Sequence, residues 1–141
     1  HINMVTVDEY KEIYSDLVRK ETMLIQPFQK NVVDKGEVAY MIFDGKYTHA
    51  VLKTAKQGEF RVQDDFGGTV KEYTPSPEEI RFAEHAAKQC TPLPVYARVD
   101  VITDNEEKLA VTEMELIEPE LWFRFHPEAA DRFANAIFKT F

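Results

Sequence analysis

Three carboxylates gather near the end of this 141-residue sequence: Asp100 in YARVDVI, then Glu113 and Glu115 in VTEMELIEP. Both segments read as β-strands, in which side chains at i and i+2 share a face. Glu113 and Glu115 then project together, with Met114 and Leu116 turned away. The polar TDNEEK between the segments has the composition of a hairpin loop. With the four residues Asn105 to Lys108 as that loop, Asp100 falls opposite Glu113 and Arg98 opposite Glu115. Like charges opposed across a sheet repel, and a hard divalent cation relieves the repulsion. Oxygen-only ligands favour magnesium or manganese, and His85 and His126 lack zinc-type spacing with a cysteine. A solvated acidic sheet face without any metal has the same pattern.

Two cations are candidates for holding an anion. Lys53 closes a strand, and Arg61 lies in an irregular stretch close to Gly67, Gly68 and Thr69. Glycines let backbone amides approach an anion, and arginine adds a forked donor. Each of these residues also suits a plainer role, as a surface cation or a turn. His49 on a strand, Cys90 at a helix end, and Trp122 with Phe123 read as packing residues.

The elements that must position these groups follow from local signals. Thr6 to Glu9 fits a capping box opening a helix that ends near Lys20, with Tyr10, Ile13, Tyr14 and Leu17 at helical spacing. MLIQPF (23–28) reads as a short strand broken by Pro27, and QKNVVDKG (29–36) as a loop. EVAYMIF-DG-KYTHAVLK is a two-residue type I′ hairpin, which puts Tyr40 opposite His49 and Glu37 opposite Leu52. Residues 54–75 form a long polar loop holding one short strand, FRVQ. Ser76 to Glu79 is a second capping box, with Pro77 at the first helical position and Ile80, Ala83, Ala87 and Cys90 as the buried stripe. Pro127 opens a last helix with Ala130, Phe133, Ala134 and Ile137 inward. This order describes an α+β fold, an antiparallel sheet flanked by helices.

Composition narrows the class. One domain of this length, 44% hydrophobic, buries a modest core. A net charge of −8 provides no basic stripe for nucleic acid. The single cysteine points to a reducing, cytoplasmic setting, and no apolar run is long enough to span a membrane. The opening HINM has the look of a vector remnant, so the expectation is a fragment of a longer protein.

Together, MLIQPF, GEVAYMIFDGKYTHAVLK, FRVQDDFGGT, YARVDVI and VTEMELIEP resemble the C-terminal half of an ATP-grasp domain. They are similar in particular to the branch that includes prokaryotic glutathione synthetase and ribosomal-protein glutamate ligase. The resemblance runs from about Met23 to about Ile137. It implies a magnesium- (or manganese-) dependent ligase that transfers the γ-phosphoryl group of ATP to a carboxylate, whose acyl phosphate is then attacked by an amine. By position it makes Asp100, Glu113 and Glu115 the metal ligands, although the family often has Asn where Glu115 stands. Gln26, Pro27 and Phe28 match the segment that meets adenine. Glu37, with Asp34 as competitor, matches the ribose contact, and Lys53 and Arg61 face the phosphates or the substrate carboxylate. Arg98 contacts the transferred phosphate, Gly67, Gly68 and Thr69 form a closing loop, and Glu118 recognises a substrate amine.

The family also requires an N-terminal subdomain carrying a Gly-rich loop and a lysine, which nothing before Met23 supplies. The chain alone is therefore expected to be inactive. Relatives of this kind are commonly dimers or tetramers. Two other readings differ in class: a non-catalytic module serving ligand binding or assembly, and a metal-dependent nuclease. The acidic charge, and the absence of a lysine two residues after Glu113, count against the nuclease.

Overall fold

A computed structural model describes residues 7–24, 26–56 and 68–141. Helix α1 (Val7–Lys20) opens the chain, and Thr6 of its expected cap lies outside the described residues. Along its apolar stripe, Leu17 is half-buried and Ile13, Tyr14 and Val18 are exposed. MLIQPF forms no strand among its described residues, in keeping with the missing amide of Pro27. The following stretch is helical rather than loop, as a single turn α2 (Asn31–Lys35). Five residues are too few to hold a helix by propensity, so tertiary contacts hold it. Asn31 Nδ2 donates to Asp104 O at 2.6 Å and Glu107 Oε1 at 3.0 Å, and Lys35 pairs with Glu107.

Gly36 ends that turn with φ 77° and donates its N–H to Val32 O. A Cβ added there would lie 2.3 Å from the carbonyl oxygen of Lys53. Gly36→Ala is expected to lose about 2 kcal/mol or more, since left-handed backbone alone costs a non-glycine residue about 1–2 kcal/mol. Urea denaturation measures it, and a smaller loss would show that the neighbouring strand yields.

Among the described residues five strands make one antiparallel sheet in the order β3-β2-β1-β4-β5. They are β1 (Glu37–Phe43), β2 (Lys46–Thr54), β3 (Thr69–Tyr73), β4 (Tyr96–Thr103) and β5 (Leu109–Glu115). β3 occupies part of the expected long loop, so Thr69 belongs to a strand, while FRVQ lies outside the described residues. The β1–β2 turn has the predicted form, with Asp44 at φ 50° and Gly45 at φ 70°. Its register departs from expectation beyond Tyr47. Ile42 pairs with Tyr47, but Met41 pairs with His49, leaving Thr48 as the extra residue of a β-bulge. Tyr40 therefore faces Ala50 and Glu37 faces Lys53. Thr48 Oγ1 donates to Met41 O at 3.0 Å and so serves the carbonyl beside the bulge.

Helix α3 (Pro77–Ala87) covers one face, packing Ala83 and Ala87 against Tyr40, Ile42, Val99 and Val101. Its capping box is present in both directions. Burial opposes ionisation of Glu79, but hydrogen bonds from Ser76, Tyr73 and Tyr40 outweigh it and hold the carboxyl below its ordinary 4.5. The stability this gives is present above pH 4.5 and is lost as pH falls through the lowered value. Glu79→Gln should therefore flatten the acid limb of stability against pH, which a urea series from pH 6 to pH 3 would detect; an unchanged slope would contradict this.

Helix α4 (Ala129–Phe138) covers the other face with Trp122 and Phe123, over Ala39, Met41, Phe43 and Val51. Its buried residues are Ala129 and Ala136, with Phe133 packed alongside. Ala130, Ala134 and Ile137, expected inward, are exposed, because the stripe that meets the sheet runs through Ala129, Phe133 and Ala136. Among the described residues no helix is long and apolar enough to cross a membrane.

Candidate metal centre

The acidic hairpin pairs as expected at the residues that matter, Asp100 with Glu113 and Arg98 with Glu115. The route differs. The connection is five residues, Asp104 to Lys108, and Val101 pairs with Val111, so Thr112 is the extra residue of a second bulge. The longer loop and the bulge cancel. Asp104 shapes the loop by accepting the N–H groups of Glu106 and Lys108.

Pairing across β2, β1, β4 and β5 puts Lys53, Glu37, Asp100, Arg98, Glu113 and Glu115 on the sheet face that α4 partly covers. Their side chains alternate in charge. Lys53 Nζ lies 2.5 Å from Glu37 Oε1 and 2.9 Å from Asp100 Oδ2. The Arg98 guanidinium grips Asp100 through Nε at 3.1 Å and Nη2 at 2.9 Å, contacts Glu115, and passes 3.7 Å from Glu113. Asp100 is fully buried, and Lys53 and Arg98 nearly so. Lys53 is thus no surface cation. It is the buried centre of an ion-paired row.

Four carboxylates face two cations, which leaves two negative charges in excess. One carboxylate oxygen each from Asp100, Glu113 and Glu115 falls within 4.8 Å of the others. Partial burial raises the Glu113 carboxyl above its ordinary value, and repulsion from Glu115 and Asp100 adds to this. Burial opposes the Arg98 charge, but its carboxylate partners outweigh that and hold it firmly protonated. An all-oxygen donor set with a residual charge of two suits magnesium or manganese. Half-exposed Glu113 gives an ion access from solvent, so the residues present fit the group.

The other predicted residues are distributed around this row. Gln26, Pro27 and Phe28 form an irregular segment tied to the β4–β5 turn. Asn105 Nδ2 donates to Phe28 O at 2.9 Å, its N–H to Gln29 Oε1 at 3.0 Å, and its Oδ1 accepts from Lys30 N–H. Thr69 meets Thr54 across the β2–β3 pair, Oγ1 to Oγ1, at 2.6 Å, with Gly68 just before the strand. Arg61 and Gly67 lie outside the described residues. Glu118 is exposed on left-handed backbone at φ 55°, following β5. His49 is a packing residue as expected. Buried against Phe43 and His126, its Nε2 lies 2.9 Å from Leu121 O and its Nδ1 3.0 Å from Thr48 Oγ1, and burial lowers its pKa and favours the neutral ring.

Residues 3–118 match the RimK-like ATP-grasp domain. The chain belongs to that family. Within it, the chain is 32% identical over 127 residues to the cycloserine biosynthesis protein DcsG of Streptomyces lavendulae, covering 82% of this chain and 41% of that protein. The crystal structure of D-cycloserine synthetase DcsG superposes with a TM-score of 0.61 at 31% identity, over the same shares. The D-alanine–D-alanine ligase of Bacillus anthracis, solved as a complex with ATP, shares the fold at TM-score 0.54 and 18% identity, over 95% of this chain and 46% of that one. This ATP-grasp chain therefore spans about two-fifths of the length of the relatives it matches.

Sequence reasoning missed Thr112. Its Oγ1 donates to Glu37 Oε2 at 2.7 Å and lies 3.1 Å from Asp100 O. Strand alternation turns a residue at 112 away from Glu113, and only the bulge reverses that. A threonine directly before the acidic pair was the one available signal.

Proposed function

We propose that this chain is the C-terminal ATP- and magnesium-binding (or manganese-binding) subdomain of a ligase that joins a carboxylate to an amine through an acyl phosphate. The observation that carries this is the row Glu37–Lys53–Asp100–Arg98–Glu115, with Glu113 at its edge, on one open sheet face of an ATP-grasp chain. The relationship to a D-cycloserine synthetase supports ligase chemistry.

Asp100, Glu113 and Glu115 hold the metal, which when bound neutralises phosphate charge and aligns the reacting oxygens. Lys53 has three N–H donors and spends two on carboxylates, leaving one for a phosphate oxygen. Arg98 is fixed by Asp100 and presents its remaining N–H groups to the transferring phosphoryl group, a preorganised arrangement that suits this reaction. Gln26, Pro27 and Phe28 meet adenine, and Glu37 or Asp34 the ribose. Arg61 faces the phosphates or the substrate carboxylate, Gly67 and Gly68 lead over the substrate into β3 at Thr69, and Glu118 receives the amine. An N-terminal subdomain supplies the opposite wall, so the isolated chain binds nucleotide weakly and turns over nothing.

The test is release of ADP or phosphate by the complete protein with magnesium, ATP and a panel of small carboxylates and amines. No release with any pair would support a non-catalytic module instead. Robust ATP hydrolysis by this chain alone would refute its dependence on a second wall.

A further inference from the structure

Both bulges in the sheet use the same device. In each, the extra residue is a threonine whose hydroxyl reaches the carbonyl across the irregularity, Thr48 to Met41 and Thr112 to Asp100. Thr112 does more. Its shorter contact, at 2.7 Å, goes to Glu37 two strands away, and Glu37 in turn holds Lys53 with its other oxygen. Both oxygens of Glu37 are thereby engaged, one by a neutral donor and one by the ammonium.

We propose that Thr112 is a positioning residue that sets the direction of the Lys53 ammonium by fixing Glu37. Asp100 alone does not fix that direction, because it is shared with the Arg98 guanidinium. A lysine ammonium on a four-carbon stem has no preferred direction of its own. A second anchor at Glu37 defines one, and a charge-assisted bond from Thr112 keeps that anchor in place. The proposal rests on the reading of Lys53 as a phosphate-facing cation, and its test separates the two.

Pulse acetylation of this chain, read by mass spectrometry at Lys53, measures how often the ammonium leaves its partners. In Thr112→Val the labelling rate at Lys53 should rise about 10-fold, the equilibrium worth of one hydrogen bond to a charged group, with other lysines unchanged. Thr112→Ser, which keeps the hydroxyl, should label like the parent. Glu37→Gln should expose Lys53 without disturbing the bulge, and it serves if Thr112→Val does not fold. In the complete protein, Thr112→Val should raise KM for ATP with a smaller change in kcat, and Thr112→Ser should restore it. Unchanged labelling of Lys53 in a folded Thr112→Val, or equal labelling in the serine and valine variants, would overturn the positioning role. Faster labelling with an unaltered KM would overturn the assignment of Lys53 to nucleotide while supporting its positioning by Thr112.

Discussion

Asp100→Asn is expected to lower folding stability by about 3 kcal/mol, with a lowered urea midpoint and an unchanged m-value. Asp100 is 0% exposed and, among the described residues, is the one carboxylate gripped by both Lys53 and Arg98. Breaking a buried pair by removing one partner typically costs about 3–5 kcal/mol, because the remaining charge stays desolvated. The lower end applies here. Lys53 keeps Glu37, and Arg98 keeps Glu115. A loss below about 1 kcal/mol, the value of an exposed pair, would mean that solvent reaches these cations.

Glu113→Gln is expected to act in the opposite way, ending the chemistry and sparing the fold. Glu113 touches no cation closer than Arg98 at 3.7 Å, and its side chain is 57% exposed. Its raised pKa means that the folded state disfavours the ionised form. The fold therefore loses stability as pH climbs from 4.5, the ordinary value, through the raised one. Glutamine removes that penalty. Apo stability at pH 8 should be unchanged or higher by less than about 1 kcal/mol, since solvent screens so exposed a group. Under the proposed function, turnover by the complete protein should fall about 1,000-fold, the effect of losing several kcal/mol of metal-borne stabilisation. Near-normal turnover would remove Glu113 from the metal site.

These contrasting effects come from residues placed by features of unequal visibility in the sequence. The Asp44-Gly45 turn, the Ser76 cap and the hydrophobic alternation of β1 and β4 are local, and local chemistry reads directly. The pairings Asp100–Glu113 and Arg98–Glu115 were legible for a weaker reason, because a longer loop and a bulge offset each other. No such offset protects the other hairpin. There Thr48 moves Lys53 opposite Glu37, and a buried ion pair stands where alternation predicts Glu37 facing Leu52. Bulges escape a period-2 reading by construction. Helix α2 escaped for a different reason. Its stability lies in Asp104 and Glu107, more than seventy residues away. α4 is legible as an element, but its inward stripe is offset: Ala129, Phe133 and Ala136 meet the sheet, and Ala130, Ala134 and Ile137 do not.

The three bonds from Asn105 to Phe28, Gln29 and Lys30 have a mechanical consequence. A segment stitched to a strand turn through two backbone groups and one side chain travels with that turn as one body. Rotation of α1 relative to the sheet is then taken up upstream of Phe28, between Glu21 and Pro27, where the described backbone belongs to no helix or strand. Phe28, the last residue of the segment assigned to adenine, would then ride with the carboxylates, so a base stacked on it would keep its distance from them.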